Sequence, residues 1–476
     1  MEMIISKKDT AAADNKWIDV TNPATGEKID TVPWASETDV NAAVESADEA
    51  FFEWAKKPMR DRGMILYKAA RLIREQHKDL ARLLTIEQGK PLRESIDEVR
   101  GCANILEYYA SISGKPAGEA VSLGKAGDCM VTRVPLGVCA AIIPWNMPVI
   151  IMGWKVGPAL LAGNSLILKP SSRTPLTCLK IARMINDAGL PEGILNVVTG
   201  PGDTTGTALI KNALIKKISF TGDTATGSKI REMAIGHVRD LTLELGGSDP
   251  MIVMDDANIP KAVEGALRGR FYNAGQICTA VKRLYLHEKI ADEFMRQLKS
   301  KVDGLTVGNG LTPGTDMGPL AGSEQMTRIS SVVQGVTIRE EGTILTGGCP
   351  SQGKEYEKGF FYEPTLIADV APDASVLKNE IFGPVLPVMT VPDLDCAIQE
   401  ANNSKYGLGA SVWTRNIETI RQVYLEVNAG IVWVNRHLTV PPEIPFGGTK
   451  ESGVGRENGF NALDSYTQTK TLYLGW

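Results

Sequence analysis

Only four histidines occur in the 476 residues, at positions 77, 237, 287 and 437. So wide a spacing offers no chelating set, and no metal centre is expected. Cysteine is nearly as sparse. The seven, at 102, 129, 139, 178, 278, 349 and 396, are odd in number, scattered and free of any CxxC. That excludes a disulfide framework and predicts a reduced, cytoplasmic setting. No apolar run approaches the ~18 residues of a membrane span. The opening MEMIISKKDTAAADNK turns polar at once and lacks the apolar core of a signal peptide. A net charge of -5 gives no reason to expect nucleic acid or an acidic membrane as partner.

What is present describes a globular enzyme-sized chain. With 43% hydrophobic and 22% charged residues, its 476 positions suffice for two or three domains. Val40, Val44, Ala47, Phe51 and Trp54 recur at helical spacing, which predicts a helix over 39–57 opened by Ser36 and Asp39. Ile65, Leu66, Ala69, Leu72, Ile73, Leu80, Leu83 and Leu84 predict another over 61–88, stopped by Gly89 and Pro91. From residue 136 strands and helices alternate: GVCAAIIP, WKVGPALLAG, SLILKP, PLTCLKIARMINDAGL, then ILNVVTG, KISFTG and LTLELGG. Such alternation implies βαβ units and a parallel sheet. Residues 251–440 repeat the style in a second α/β unit, and YTQTKTLYLGW reads as a lone strand with no partner nearby.

Parallel sheets bind ligands outside the carboxyl ends of their strands. Unusual residues stand at five of those ends: Asn146; Lys169, Ser172 and Arg173; Gly200 and Gly202; Gly222 and Asp223; and Glu244. Each alone has an ordinary reading. Gly200-Pro-Gly202 makes a turn, Lys169 a solvated strand end, Asn146 a bend in the chain and Glu244 an ion pair. Cys278 sits in YNAGQICTA among small and polar neighbours, whereas most intracellular cysteines fill greasy space.

Together they describe thiol chemistry with a nicotinamide cofactor. A free thiol is only about 3% ionised at neutral pH, so a base or positive dipole must raise that fraction. Attack on a carbonyl makes an alkoxide, for which the Asn146 amide and the cysteine's own N–H are suitable donors. Departure of hydride leaves a thioester, and Glu244 could activate the water that hydrolyses it.

The ordered set PWNMP, LKPSSRTP, SFTG, LELGG, GQICTA, EIFGPV and PFGGTKESGVGRENG, with TNPATGE ahead of it, resembles the aldehyde dehydrogenase superfamily over nearly the whole chain. The resemblance implies Cys278 as nucleophile, Asn146 as oxyanion donor and Glu244 as deacylation base, with Lys155 also among the catalytic residues. It implies Lys169 on the adenosine ribose, Glu380 on the nicotinamide ribose and Phe382 beside the nicotinamide. Ile142, Pro144, Trp145, Gly202, Phe220, Gly222 and Leu245 would line the cofactor groove. The implied α/β fold has a Rossmann-like cofactor-binding domain (1–115 and 136–246), a catalytic domain (247–447) and an oligomerisation arm (116–135 and 460–476) that builds dimers or tetramers. On this reading the C-terminal strand pairs with another subunit's sheet.

Departures from the family pattern refine the expectation. Many NAD-preferring relatives carry an acid where this chain has Ser172, and Arg173 follows, so NADP is expected to be preferred over NAD unless Arg173 points to solvent. Asp223, where relatives have Ser, either repels a phosphate or caps the helix that follows. Trp154 and Tyr272 stand where succinic semialdehyde enzymes place arginines, and an apolar wall disfavours a substrate carboxylate. NRHLTVPPEIPFGG is similar to relatives acting on lactaldehyde or glyceraldehyde, with Arg436, His437 and Glu443 as contacts for hydroxyl groups or as a surface salt bridge. Rival readings are a semialdehyde dehydrogenase, an acylating enzyme using coenzyme A, and a catalytically silent protein on the same fold.

Overall fold

The computed structural model describes residues 1–114 and 118–475. Residues 115–117, where the expected cofactor-binding segment gives way to the arm, and Trp476, the arm's last residue, lie outside the described residues. The first amphipathic stripe forms the helix Glu37–Lys56, opened by a reciprocal capping box between Ser36 and Asp39, with Val40, Val44, Ala47 and Trp54 buried. The helix expected over 61–88 is two, Met59–Glu75 and His77–Gln88. Gln76, at φ -106° and ψ 14°, leaves the helical region and turns the chain. Leu80, Ala81 and Leu84 still join Ile65, Leu66, Ala69 and Ile73 in one core, so the apolar pattern runs through the break without marking it. Gly89 ends the second helix at φ 100°, where a Cβ would stand 2.7 Å from Pro319 Cγ.

The first large sheet has five parallel strands at its centre, in the order Leu195–Val197, Ser165–Lys169, Val138–Ile142, Ile215–Thr221, Asp240–Glu244. Every residue of Val138–Ile142 and Ser165–Lys169 is buried, as a sheet covered on both faces requires. Chain order runs outward one way from Val138–Ile142 and the other way from Ile215–Thr221. This reversal opens a crevice beyond Ile142 and Thr221, where an α/β sheet takes a ligand. The second sheet is parallel over six strands, from Thr365–Ala368 through Val385–Val391, Val281–His287, Asp249–Val253 and Gly409–Trp413 to Ile431–Val434. Thr343–Thr346 adds an antiparallel edge. A short strand from the far end of the chain, Gly453–Val454, closes the first sheet against Leu243 and Glu244.

The C-terminal strand is not alone. Thr467–Leu474 pairs antiparallel with Asp128–Pro135, from Thr467 opposite Pro135 to Leu474 opposite Asp128, and Gly118–Ser122 completes the sheet. The partner is on this same chain but far away in sequence, which is why a local reading found none. Asn164, fully buried, fastens the base of this sheet. Its Oδ1 accepts from Leu136 N at 2.8 Å and Gly137 N at 3.0 Å, while Nδ2 donates to Ala159 O at 3.3 Å and Tyr466 O at 2.9 Å. Asn164→Ala should cost about 2–4 kcal/mol, because it strands buried donors and acceptors. Lower denaturation midpoints and earlier proteolysis within 118–135 are expected; a variant that melts like the parent would remove Asn164 from this role.

Candidate active site

Three consecutive left-handed residues deliver Cys278. Asn273 (φ 52°), Ala274 (φ 53°) and Gly275 (φ 72°) coil the chain after the helix Ile259–Phe271. Two of them carry a Cβ, at a cost of about 1 kcal/mol or more each. Gly275 admits no side chain, since a Cβ would lie 2.3 Å from Gly383 O and 2.9 Å from Arg270 O. The Gln276 amide pins the coil, donating to Asn273 O at 3.0 Å and accepting from Ala321 N at 2.9 Å.

Two cavities meet at this coil. One, of about 170 Å³, is walled by Met147, Ile150, Ile151, Trp154, Tyr272 and Phe446, with Asp97, Glu98 and Arg268 the charged residues in its lining. The other, of about 120 Å³, is walled by Pro144, Trp145, Gly222, Leu245, Gly246, Glu380 and Phe382. Asn146, Ile151 and Cys278 belong to both walls. A larger groove of about 430 Å³ beside the three-stranded sheet shares none of these residues. Cys278 is half-buried: open to both cavities, yet so closely surrounded that burial pushes its thiol up to about 12, with Lys282 opposing.

Asn146 is held from both ends. Its Nδ2 donates to Gln276 O at 2.9 Å, and its carbonyl accepts from Lys90 Nζ at 2.7 Å and Asn273 Nδ2 at 3.0 Å. Lys90 is ion-paired at 2.6 Å with Glu98, both side chains fully buried. Glu98 in turn accepts from Val149 N at 2.8 Å and Ile150 N at 3.2 Å, so one carboxylate caps the helix Pro148–Ala162 and anchors the lysine that sets Asn146. Sequence reasoning missed this pair. Both residues sit among ordinary helical charges, and only the fold buries them.

Glu244 stands at the end of its strand beside Cys278 but lines neither cavity. Both carboxyl oxygens are buried without a hydrogen-bond partner, and a Cβ on Gly447 would fall 2.6 Å from Oε1. Burial drives its pKa well above the usual 4.5; Glu457 pushes further, Lys155 and Arg456 oppose. Lys155 also lies outside both cavities, donating to Ser219 Oγ at 2.9 Å and to Glu457, whose second oxygen is unpartnered. The ion pair considered for Glu244 is therefore made by Glu457 instead.

On the cofactor side, Phe382 meets Trp145 edge-on at 5.5 Å, and Glu380 accepts from Gly247 N at 3.2 Å. The arrangement fits a nicotinamide riboside: Gln325 Oε1, in the same wall, is buried without a donor, and Gly246 leaves the space in which a Cβ would collide with Glu380 at 2.3 Å. Ile142 and Phe220 are buried at the strand ends beneath, and Gly202 opens the helical turn Gly202–Gly206. Lys169 is buried next to that turn, its pKa lowered to about 8 by burial and opposed by Asp203. Ser172 donates to Gly200 O at 2.9 Å. Arg173 does not point freely to solvent: it pairs with Glu324 at 2.7 Å and lies 5.8 Å from the Trp145 ring. Asp223 is the cap, accepting from Thr226 N at 2.9 Å, although it also borders the cavity.

On the substrate side the structure brings in Trp154 and Tyr272 but not Arg436, which is exposed and outside the cavity lining. Its strand ends with Asn435 in a left-handed turn, and His437 is the residue carried inward. His437 supports the floor instead, donating from Nε2 to Thr279 O at 2.7 Å with Ser411 Oγ at 2.9 Å from Nδ1; burial holds it down at about 4. Glu443 is exposed. Phe446, stacked at 4.8 Å on Trp154, completes the wall and was not anticipated, since in the sequence it is one more apolar residue beside a glycine pair.

The buried carboxyl of Glu244 has a measurable consequence. Its folded-state pKa is raised, so native protein binds the proton more tightly than unfolded chain, and this contribution to stability is lost as pH rises above about 4.5. Glu244→Gln should therefore melt at higher temperature than the parent by a margin that widens from pH 6 to pH 9. A constant or shrinking margin would mean that the carboxyl is not neutral in the resting fold.

Among the described residues no helix is long and apolar enough to cross a membrane, and no cluster of potential metal ligands is found. The sequence profile of the aldehyde dehydrogenase family matches residues 10–472. Betaine aldehyde dehydrogenase of Bacillus subtilis is 38% identical over 475 residues, covering 98% of this chain and 97% of that one. Phenylacetaldehyde dehydrogenase of Pseudomonas fluorescens is 39% identical over 485 residues, covering 100% and 96%. In three dimensions, betaine aldehyde dehydrogenase from Staphylococcus aureus in complex with NAD+ superposes with a TM-score of 0.97 at 33% identity, over 100% of this chain and 95% of that one. With sequence, fold and ordered motifs in agreement, the chain belongs to the aldehyde dehydrogenase family.

Proposed function

We propose that this enzyme oxidises a small, uncharged aldehyde to its carboxylic acid with NAD(P), through a thiohemiacetal and then a thioester on Cys278. The observation that carries the reading is the sharing of Cys278 and Asn146 by two cavities, one apolar and aromatic, one bordered by Trp145, Phe382 and Glu380. An aldehyde in the first cavity meets the Cys278 thiolate. The oxyanion that forms is met by Asn146 Nδ2 and the Cys278 N–H, donors already fixed before the substrate arrives. Bound NAD(P) supplies the hydride acceptor. Glu244, neutral while buried, gives up its proton towards Glu457 by way of Lys155 and Ser219 as it swings out from behind the Gly447 turn, and the carboxylate so formed takes a proton from the water that attacks the thioester. Presence of all three reactive groups favours hydrolysis over transfer to coenzyme A, and catalysis over a silent scaffold.

The cavity argues for substrate class. Asp97 balances Arg268 in its lining and Lys90 neutralises Glu98, so no unmatched positive charge repays the desolvation of a semialdehyde carboxylate. The hydroxyaldehyde reading loses Arg436 as a contact but keeps Thr279 and Asp97 in the wall, polar atoms that a hydroxyl can meet. Compact apolar and aromatic aldehydes fit the rest of the surface better. As for the cofactor, NAD and NADP are both proposed. Ser172 leaves no carboxylate against a 2′-phosphate, but the preference for NADP loses the free guanidinium it assumed, because Glu324 already holds Arg173. The two large sheets support the division into cofactor-binding and catalytic domains, and the three-stranded sheet, with one edge of Thr467–Leu474 unpaired among the described residues, supports an arm for dimers or tetramers. All seven cysteines are free, in keeping with a cytoplasmic setting.

Two measurements test this. Reduced nicotinamide should appear by absorbance with a panel of C2–C8 aldehydes; Cys278→Ser should abolish it, and Asn146→Ala should lower kcat by about 10²–10³. Retained activity in Cys278→Ser would overturn the mechanism. In the cofactor comparison, Glu324→Gln should raise the ratio of NADP to NAD kcat/KM by about three- to tenfold, the range of about 1 kcal/mol for a partly exposed ion pair. An unchanged ratio would take Arg173 out of cofactor choice.

A further inference from the structure

Lys282 has no role in the reaction as described so far, yet it is 1% exposed and lies one turn of chain beyond the nucleophile. Its Nζ donates to Ile277 O at 3.0 Å and to Cys278 O, pairs with Glu380 Oε1 at 3.3 Å, and sits 5.9 Å from the centre of the Phe382 ring. One ammonium thus touches the nucleophile's own peptide, the carboxylate of the cofactor-side cavity and the aromatic beside it. Burying an ammonium is costly, and three polar partners here satisfy it.

The charges facing Cys278 make the arrangement pointed. Asp249 on the adjacent strand, Glu380 ahead of Val385–Val391 and Glu244 at the end of its strand all oppose a thiolate; Lys282 favours it. Asp97, Glu98 and Arg268 line the same substrate cavity, Asp223 and Arg328 the cofactor cavity, and neutral His437 supports Thr279 from below. We propose that Lys282 is a positioning residue, joining the Cys278 peptide to Glu380 and supplying the positive charge that favours the thiolate against burial and the surrounding carboxylates. By holding the carbonyls of residues 277 and 278 it fixes the peptide planes from which the oxyanion's backbone donor projects. By holding Glu380 it sets the carboxylate that the bound ribose meets.

The inference rests on Cys278 as nucleophile, which Cys278→Ser tests separately. The experiment here needs no turnover: alkylation of Cys278 by iodoacetamide in the protein without cofactor, followed across pH by mass spectrometry of its peptide, so that exposed Cys349 does not interfere. In Lys282→Met alkylation should slow about tenfold at each pH from 7 to 9, as an upward shift of about one pH unit in the thiol's ionisation requires. The Kd for NAD, measured by titration without substrate, should rise about fivefold as Glu380 is released, and Lys282→Arg should recover most of both losses. Lys282→Gln keeps a donor for the two carbonyls without the charge, so it serves where Lys282→Met does not fold; the same upward shift is expected. A folded Lys282→Gln with the parent's alkylation profile would overturn the proposal and leave Lys282 a packing residue.

Discussion

Removing water from a thiol makes its charge expensive, and every element around Cys278 answers to that constraint. The site must be dry enough to strengthen the oxyanion's hydrogen bonds, yet dryness alone drives the sulfur toward its neutral form. The fold meets both demands with buried lysines. Lys90 pairs with Glu98 and orients Asn146, Lys155 pairs with Glu457 near Glu244, and Lys282 pairs with Glu380 beside the nucleophile. Each lysine serves one reactive group. Replacing such a pair by apolar residues need not weaken a fold, so the pairs are better understood through what they orient than through stability.

Much of this was legible from residue order. The alternation of short apolar runs gave the parallel sheets, and among the unusual residues at strand ends Asn146, Gly222 and Asp223 border the cavity at the reversal of strand order, while Glu244 lies outside it. The capping box at Ser36 and the Asp223 cap were local chemistry and therefore readable. What escaped was non-local. The break at Gln76 preserves the apolar period across it; the partner of Thr467–Leu474 lies on a strand more than 300 residues earlier. Arg173 was assigned by residue type to a phosphate, and its engagement by Glu324 depends on a helix from the other half of the chain. Arg436, His437 and Glu443 were read together as hydroxyl contacts or a surface salt bridge, but only His437 is turned inward past the strand end, while Arg436 and Glu443 are exposed.

The substrate cavity owes its character to subtraction. Its aromatic wall, Trp154 against Phe446 with Tyr272 beside them, offers shape and π-faces, while the carboxylate of Glu98 is already committed to backbone amides and Lys90. On the proposed reading, selectivity there would rest mainly on excluding water and carboxylates, a mode that separates apolar substrates differing by one methylene only modestly.

The strand Gly453–Val454 lies on the edge of the first sheet against Leu243 and Glu244, and Gly447 packs over the Glu244 carboxyl. A ribosome must therefore extend the chain about two hundred residues past Glu244 before the wall that shields it exists. Until then the Glu244 carboxyl lacks the wall that residues 447–454 provide. A product truncated before residue 447 therefore lacks the shield over the Glu244 carboxyl.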